Sequence, residues 1–267
     1  MWTWPYEVTE REKKRLLNDV KEWMKDPRRE IPDVRWLEKV THDFACIKIW
    51  VDEIISSTPP EKVIRVVEEI KKDPDRFNTG LRPYILSGLI DRILKEYGRF
   101  EIPVEGNWSG LSITVPPGSE LRIPEVKYLD ITNYGKIRAR RIDDLNIYNS
   151  GNVEVGEIDR LSHEGPGELS ADHIRYVERL SGTLAAKEID RLNLTSLYGK
   201  SLVVSKKIGK VFIHHTTDSK IITEDVEDII NLGGKPNYQP RLTVIAGRVG
   251  NFDTFPGSIY RGFEKLV

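Results

Sequence analysis

From residue 118 onward the chain repeats itself, and no other feature constrains its fold as tightly. Gly118, Gly135, Gly151, Gly167, Gly182 and Gly199 recur at spacings of 17, 16, 16, 15 and 17. The same order of apolar positions follows each of them. Val126, Ile142, Ile158, Ile174, Ile189, Ile208 and Val226 form one column, and three residues later Leu129, Leu145, Leu161, Val177, Leu192, Val211 and Ile229 form a second. Five residues before the first column stand Leu121, Ile137, Val153, Leu169, Leu184, Val203 and Ile221, and three before it Ile123, Ala139, Val155, Ala171 and Ala186.

A gap of two residues is the alternation of a strand, whereas a gap of three marks a corner. Each unit therefore reads as short strand, corner, short strand and glycine turn. A unit of this size cannot bury its inner face alone, so successive coils must stack about 4.8 Å apart into a rod on the order of 34 Å long. The expected fold is α+β in two parts, an N-terminal four-helix bundle-like domain followed by a β-solenoid, or single-stranded β-helix, of about seven coils of roughly 16 residues. The boundaries expected are residues 1–98 for the helical domain and 99–117 for a connecting and capping segment. The solenoid repeats take 118–232 and a C-terminal cap takes 233–267.

In the helical part, Thr9 three residues before Glu12 has capping-box spacing, and Leu16, Leu17, Val20, Trp23 and Met24 then share one face up to Lys25. A long second helix is expected from Asp33, carrying Val34, Leu37, Val40, Phe44, Ile47, Val51 and Ile54 inward. Thr58 and Pro59 open a third, with Val63, Val66, Val67 and Ile70 inward, and Asp73-Pro74 stops it. Pro83 to Tyr97 makes a fourth, with Gly98 as its C-terminal cap.

Composition narrows the function. Formal net charge is −1, and residues 1–98 carry 19 basic and 19 acidic side chains, so neither part has the basic surplus that phosphate neutralisation demands. This argues against nucleic acid as a partner, although the Trp-rich helical domain keeps it as a second alternative. Trp23, Trp36 and Trp50 sit among periodic apolar neighbours and read as core, leaving Trp2 and Trp4 as candidate partner anchors. A single cysteine, Cys46, excludes an internal disulfide and reads as an inert core thiol. No signal peptide or membrane-spanning run is read, so the expected location is cytoplasmic. Gln239 is the only glutamine beside 41 basic and 42 acidic residues, a bias that points to a thermophilic source.

Candidate chemistry is sparse. His163 and Arg179 make two consecutive coils polar in an otherwise apolar column, and with Glu164 beside them they are the candidate ligand-binding residues; the other reading is a local register change, since that coil is one residue short and Leu180 can occupy the core place vacated by Arg179. Asp143, Asp144 and Asp159 gather on one edge and are the candidate metal ligands, with adjacent arginines able to neutralise them instead. His214-His215 points to opposite faces of a strand and makes a poor two-ligand site. Phosphate-loop, nucleophile-elbow and zinc-ligand spacings are not found, and neither a catalytic residue nor a cofactor is expected.

Outward columns such as Arg141, Glu157, His173, Glu188 and Lys207 alternate in sign, which reads as pairing between neighbouring coils. The period differs from the strict hexapeptide of left-handed acyltransferase helices. In architecture alone the chain resembles the bactofilins, bacterial repeat β-helices that polymerise, and it matches no residue motif of theirs. Here the helical domain precedes the first coil and an aromatic segment from Asn251 to Val267 follows the last, so both ends read as covered. The expectation is a non-enzymatic scaffold that associates side by side with a protein partner or itself, as a small homo-oligomer, a dimer. A carbohydrate- or metal-binding β-helix is the first alternative.

Overall fold

The computed structural model describes residues 10–27, 44–72, 82–103, 110–194, 200–213, 219–231, 242–253 and 263–265. Among the described residues four helices come first: α1 (Glu10–Lys25), α2 (Phe44–Ser57), α3 (Pro60–Lys72) and α4 (Arg82–Tyr97). Their buried faces follow the apolar periodicity, with Leu16, Val20 and Trp23 in α1, Val63, Val66 and Ile70 in α3, and Ile85, Leu89, Ile90 and Leu94 in α4. The helix expected from Asp33 is described only from Phe44, and Trp36 lies outside the described residues. Helix α4 packs on α2 and α3, while α1 packs on α2. The approach of α4 to α2 is close enough that a Cβ on Gly88 would stand 2.6 Å from Asp52 Oδ1 and 2.7 Å from Ile55 Cδ1. Gly98 ends α4 as expected, at φ 71°, with its N–H donating to Leu94 C=O at 2.9 Å.

The described residues from Arg99 onward form a parallel β-solenoid of about seven turns. Its strands are β1 (Arg99–Glu101), β2 (Leu111–Val115), β3 (Glu120–Asn133), β4 (Lys136–Asn149), β5 (Asn152–Glu164) and β6 (Glu168–Leu180). They continue with β7 (Gly182–Leu194), β8 (Ser201–Ile213), β9 (Ser219–Asn231), β10 (Leu242–Asp253) and β11 (Phe263–Lys265). From β3 to β10 each strand pairs with the next in parallel, one coil on another.

Register places like on like. Ile142 stands opposite both Val126 and Ile158, and Leu145 opposite both Leu129 and Leu161. All seven members of each of these two columns are buried. Inward residues of β4 fall at Ile137, Ala139, Ile142, Leu145, Ile147 and Asn149, so gaps of three flank Ile142 and the coil has two corners and three short sides. Apolar burial of this density, at about 25 cal/mol per Å² of apolar surface, is the main term holding the rod together.

Segment 99–117, expected to connect and cap, supplies β1 and β2, both paired with β3. Helix α4 lies against β2 and supplies the partners its open edge lacks. Ser112 N–H donates to Ser87 Oγ at 3.0 Å and Thr114 N–H to Asp91 Oδ1 at 2.7 Å, while Ser119 Oγ donates to Leu94 C=O at 3.0 Å. At the other end, the segment expected as a cap provides a further full coil. Strand β10 follows β9 in register from Leu242 opposite Ser219 to Asp253 opposite Ile230, and β11 adds Phe263 opposite Val244.

The turns between early coils are closed by buried asparagines. Asn133 Nδ2 donates to Asn149 Oδ1 at 2.8 Å, and each asparagine Oδ1 accepts the N–H two residues on, from Gly135 at 3.1 Å and Gly151 at 3.0 Å. Asn149 Nδ2 also donates to Glu168 C=O at 3.1 Å. These Asx-type turns let a polar side chain occupy the core with every strong hydrogen-bonding group answered.

Candidate interaction surface

The corner expected to hold a metal is occupied by a guanidinium. Arg141 Nε donates to Asp143 Oδ1 at 2.9 Å, Nη2 to Asp159 Oδ2 at 2.9 Å and Nη1 to Glu157 Oε2 at 3.0 Å. The hydrogen bond to Asp143, then the charges of Asp159, Asp143 and Glu157, push the Arg141 pKa above its usual value. One cation thus sits where a metal would have to bind, and Asp144 stands opposite Arg160 in the adjacent coil. Among the described residues, no group of three or more His, Cys, Asp or Glu side chains stands in a metal-holding arrangement.

His163 and Arg179 are not brought together. His163 is fully buried, in the inward column between Ile147 and Leu180, and Glu164 beside it is exposed. The register shifts between Leu161 and Ser162, so that Ser162 meets Arg179 and Leu180 takes the core place. Arg179 points out. Neither ring nitrogen of His163 has a hydrogen-bond partner among the described residues, and burial pushes its pKa from 6.5 down to about 4, so the ring is neutral. Trp2, Trp4 and the His214-His215 pair lie outside the described residues.

Alternating outer charges pair across coils over most of the rod. Arg138 Nε meets Glu154 Oε2 at 3.0 Å, His173 Nε2 meets Asp190 Oδ1 at 2.9 Å, and Arg248 Nε meets Asp225 Oδ1 at 2.9 Å. Arg160 Nε reaches Glu178 Oε2 at 2.8 Å, and Arg191 lies 4.3 Å from the Phe212 ring centre and 5.2 Å from that of Tyr176.

One side of the rod departs from this pattern. A trough of about 860 Å³ runs across six coils, from Arg138 in β4 to Glu224 in β9. Its floor is the column Ala139, Val155, Ala171, Ala186, Ser205 and Thr223, where small side chains let the backbone sink toward the core. One wall starts with the Arg138–Glu154 ion pair, then passes through Ser170 to Ala185, Val204 and Ile222. Val204 is 40% exposed, although it sits mid-strand on an outward position. The other wall is charged, and in it Lys206 and Glu224 have no ion-pair partner among the described residues.

The features missed in sequence reasoning left a trace there. Asn133-Tyr134-Gly135 and Asn149-Ser150-Gly151 repeat Asn-x-Gly at the coil spacing, and the outward run Ala185, Val204, Ile222 is visible once outward columns are followed past Ser170. The class of protein is thus a parallel β-solenoid preceded by helices, with a trough along one side. No family model matches the chain, no curated protein matches it and no solved structure matches it. Among the described residues no helix is long and apolar enough to cross a membrane.

Proposed function

We propose that this chain is a non-enzymatic structural and protein-interaction protein, a scaffold that meets another protein chain along the trough. The observation that carries this reading is the change in outer surface over coils β6 to β9. There, outward positions that elsewhere hold ion pairs carry Ala185, Val204 and Ile222, beside Lys206 and Glu224, which have no ion-pair partner among the described residues. Apolar side chains on a solvent face are costly to hydrate and are stabilised by an apolar partner surface. The packed interior leaves the outer faces as the working surface of such a rod.

The same reading gathers the four helices into a small bundle at the N-terminal end of the rod, and takes the protein as a cytoplasmic one from a hot environment. Ion pairs linked across successive coils support the thermal part, since such networks gain weight as temperature rises. Sedimentation velocity run beside glycan and metal-ion binding screens tests the function. Protein–protein association without saturable glycan or metal binding is the expected result. Saturable binding of a glycan or metal ion that Asp159→Ala abolishes would overturn it.

A further inference from the structure

We infer that the occupant of the trough is a second copy of this chain, packed antiparallel about a two-fold axis that crosses the rod between β6 and β7. This rests on the trough being a protein-binding surface, as proposed above. The trough spans β4 to β9, so that axis falls at its middle and each coil finds a counterpart: β4 faces the partner's β9, β5 its β8 and β6 its β7. An isologous contact must be self-complementary in this way.

The charged wall meets that requirement. Along the stack it reads Arg140, Gly156, Asp172, Lys187, Lys206 and Glu224. Reversed against itself, Arg140 faces the partner's Glu224, Gly156 faces the partner's Lys206, and Asp172 faces the partner's Lys187. Every opposed pair of charges has opposite sign. Within one chain Lys187 Nζ already pairs with Asp172 Oδ1 at 2.6 Å and Arg140 Nη2 with Glu125 Oε2 at 3.0 Å. At the axis the two Lys187–Asp172 pairs therefore meet head to tail, each cation beside two anions. Glu224, unpaired among the described residues, gains an arginine.

Parallel packing of the same faces does not do this. An axis along the rod would set Arg140 against the partner's Arg138, and would lay Lys206 and Glu224 on the partner's Val204 and Ile222. Desolvated charges without partners make that arrangement unfavourable. In the antiparallel arrangement the partner's Val204 and Ile222 face the Arg138–Glu154 pair, whose methylene stems cover apolar surface while the heads stay paired. The trough is shallow, its volume spread over on the order of 24 Å of stacked coils. Long wall side chains of the opposing copy have room to lie in it.

Complementation by mixing tests the arrangement. Wild-type protein is expected to sediment as a dimer whose association weakens with added salt. Arg140→Glu alone and Glu224→Arg alone each place like charges at both ends of the contact and should raise the dimer Kd about tenfold or more. Mixed in equal amounts, the two variants form a heterodimer in which both ends again carry opposite charges, so dimer should return. Asp172→Lys and Lys187→Glu provide a second pair with the same logic at the axis. All four sites are on the outside, and unchanged circular dichroism and Tm check that each variant folds. Single variants that dimerise like wild type would overturn the assignment of this face, as would folded singles whose mixtures stay monomeric for both pairs. A wild-type chain that is monomeric at every concentration reached would overturn the second copy as occupant while leaving the interaction function standing. Glycan or metal binding lost in Asp159→Ala would remove the function itself.

Discussion

Two neighbouring turns of the same rod put a polar side chain in the core and treat it in opposite ways. At the end of β4, Asn149 has both ends of its amide engaged, accepting from Asn133 and Gly151 and donating to Glu168. At the end of β5, His163 has neither ring nitrogen engaged among the described residues. The difference lies in the backbone beyond each side chain. After Asn149 the chain turns at once and presents an N–H two residues on. His163 instead stands in register with Ile147, two places earlier in its coil, inside a strand that runs on through Glu164, and the place of the asparagine is taken by Gly165, at φ 109°, where a Cβ would run into Asn149 C=O. Burial alone does not make a polar residue structural; the turn must deliver partners to it.

The largest expected effect comes from the glycines that replace asparagine in the later turns. Gly182 has φ 115°, and a Cβ there would stand 2.1 Å from Gly165 C=O. Gly182→Ala combines backbone strain with an unavoidable clash and should cost about 3 to 5 kcal/mol in urea unfolding. Gly118 is the contrast, with φ 78° and nothing within 4 Å, so Gly118→Ala should cost only about 1 to 2 kcal/mol. Equal losses at the two sites would show that space, the difference between them, is not what fixes glycine there.

Asn149→Ala comes next. It strands the Asn133 donor, the Gly151 N–H and the Glu168 C=O, and should cost about 3 kcal/mol. Amide hydrogen exchange should rise first at Gly151. A loss under about 1 kcal/mol would mean that water replaces the amide and the turn is not a closed one.

His163→Leu is expected to act in the opposite direction, stabilising by about 1 to 3 kcal/mol at neutral pH, because Ile147 and Leu180 on either side make an apolar column. The gain should grow in acid. Between pH 6.5 and about 4 the unfolded chain takes up a proton at this histidine that the folded chain refuses, so wild-type stability falls as pH falls. The loss approaches about 3 kcal/mol near the lower limit, and His163→Leu should remove it. Thermal unfolding at several pH values measures both parts, and an equal response of wild type and variant to acid would show that His163 is protonated in the folded state.

Much of the rod could be read from residue order, because an in-register parallel stack writes its columns directly into the sequence at fixed spacing. Ile142 and Leu145 needed no further information. The neutralised corner was also legible, since Arg141 stands two residues before Asp143 and one coil before Glu157. Register within the short coil was legible too, because Gly182 follows Gly167 by 15 residues where the other glycines follow by 16 or 17, and Leu180 stands beside Arg179 to take the core place. The trough was not legible: its floor of small residues looks like weak core until the curvature of the coil is known.

The seal between α4 and β2 has a consequence for how the chain acquires its fold. Each coil closes onto its predecessor across a span of about one repeat, as Lys136 does onto Glu120 and Asn152 onto Lys136. The entropy of loop closure is then modest and nearly the same at every step, instead of growing with distance along the chain. Ser87 and Asp91, presented on a helix that needs only local contacts to form, give β2 something to bind before a second coil exists. Folding therefore has a place to begin and a direction in which to run, and a β-protein built this way escapes the slow, long-range search that delays sandwiches and barrels.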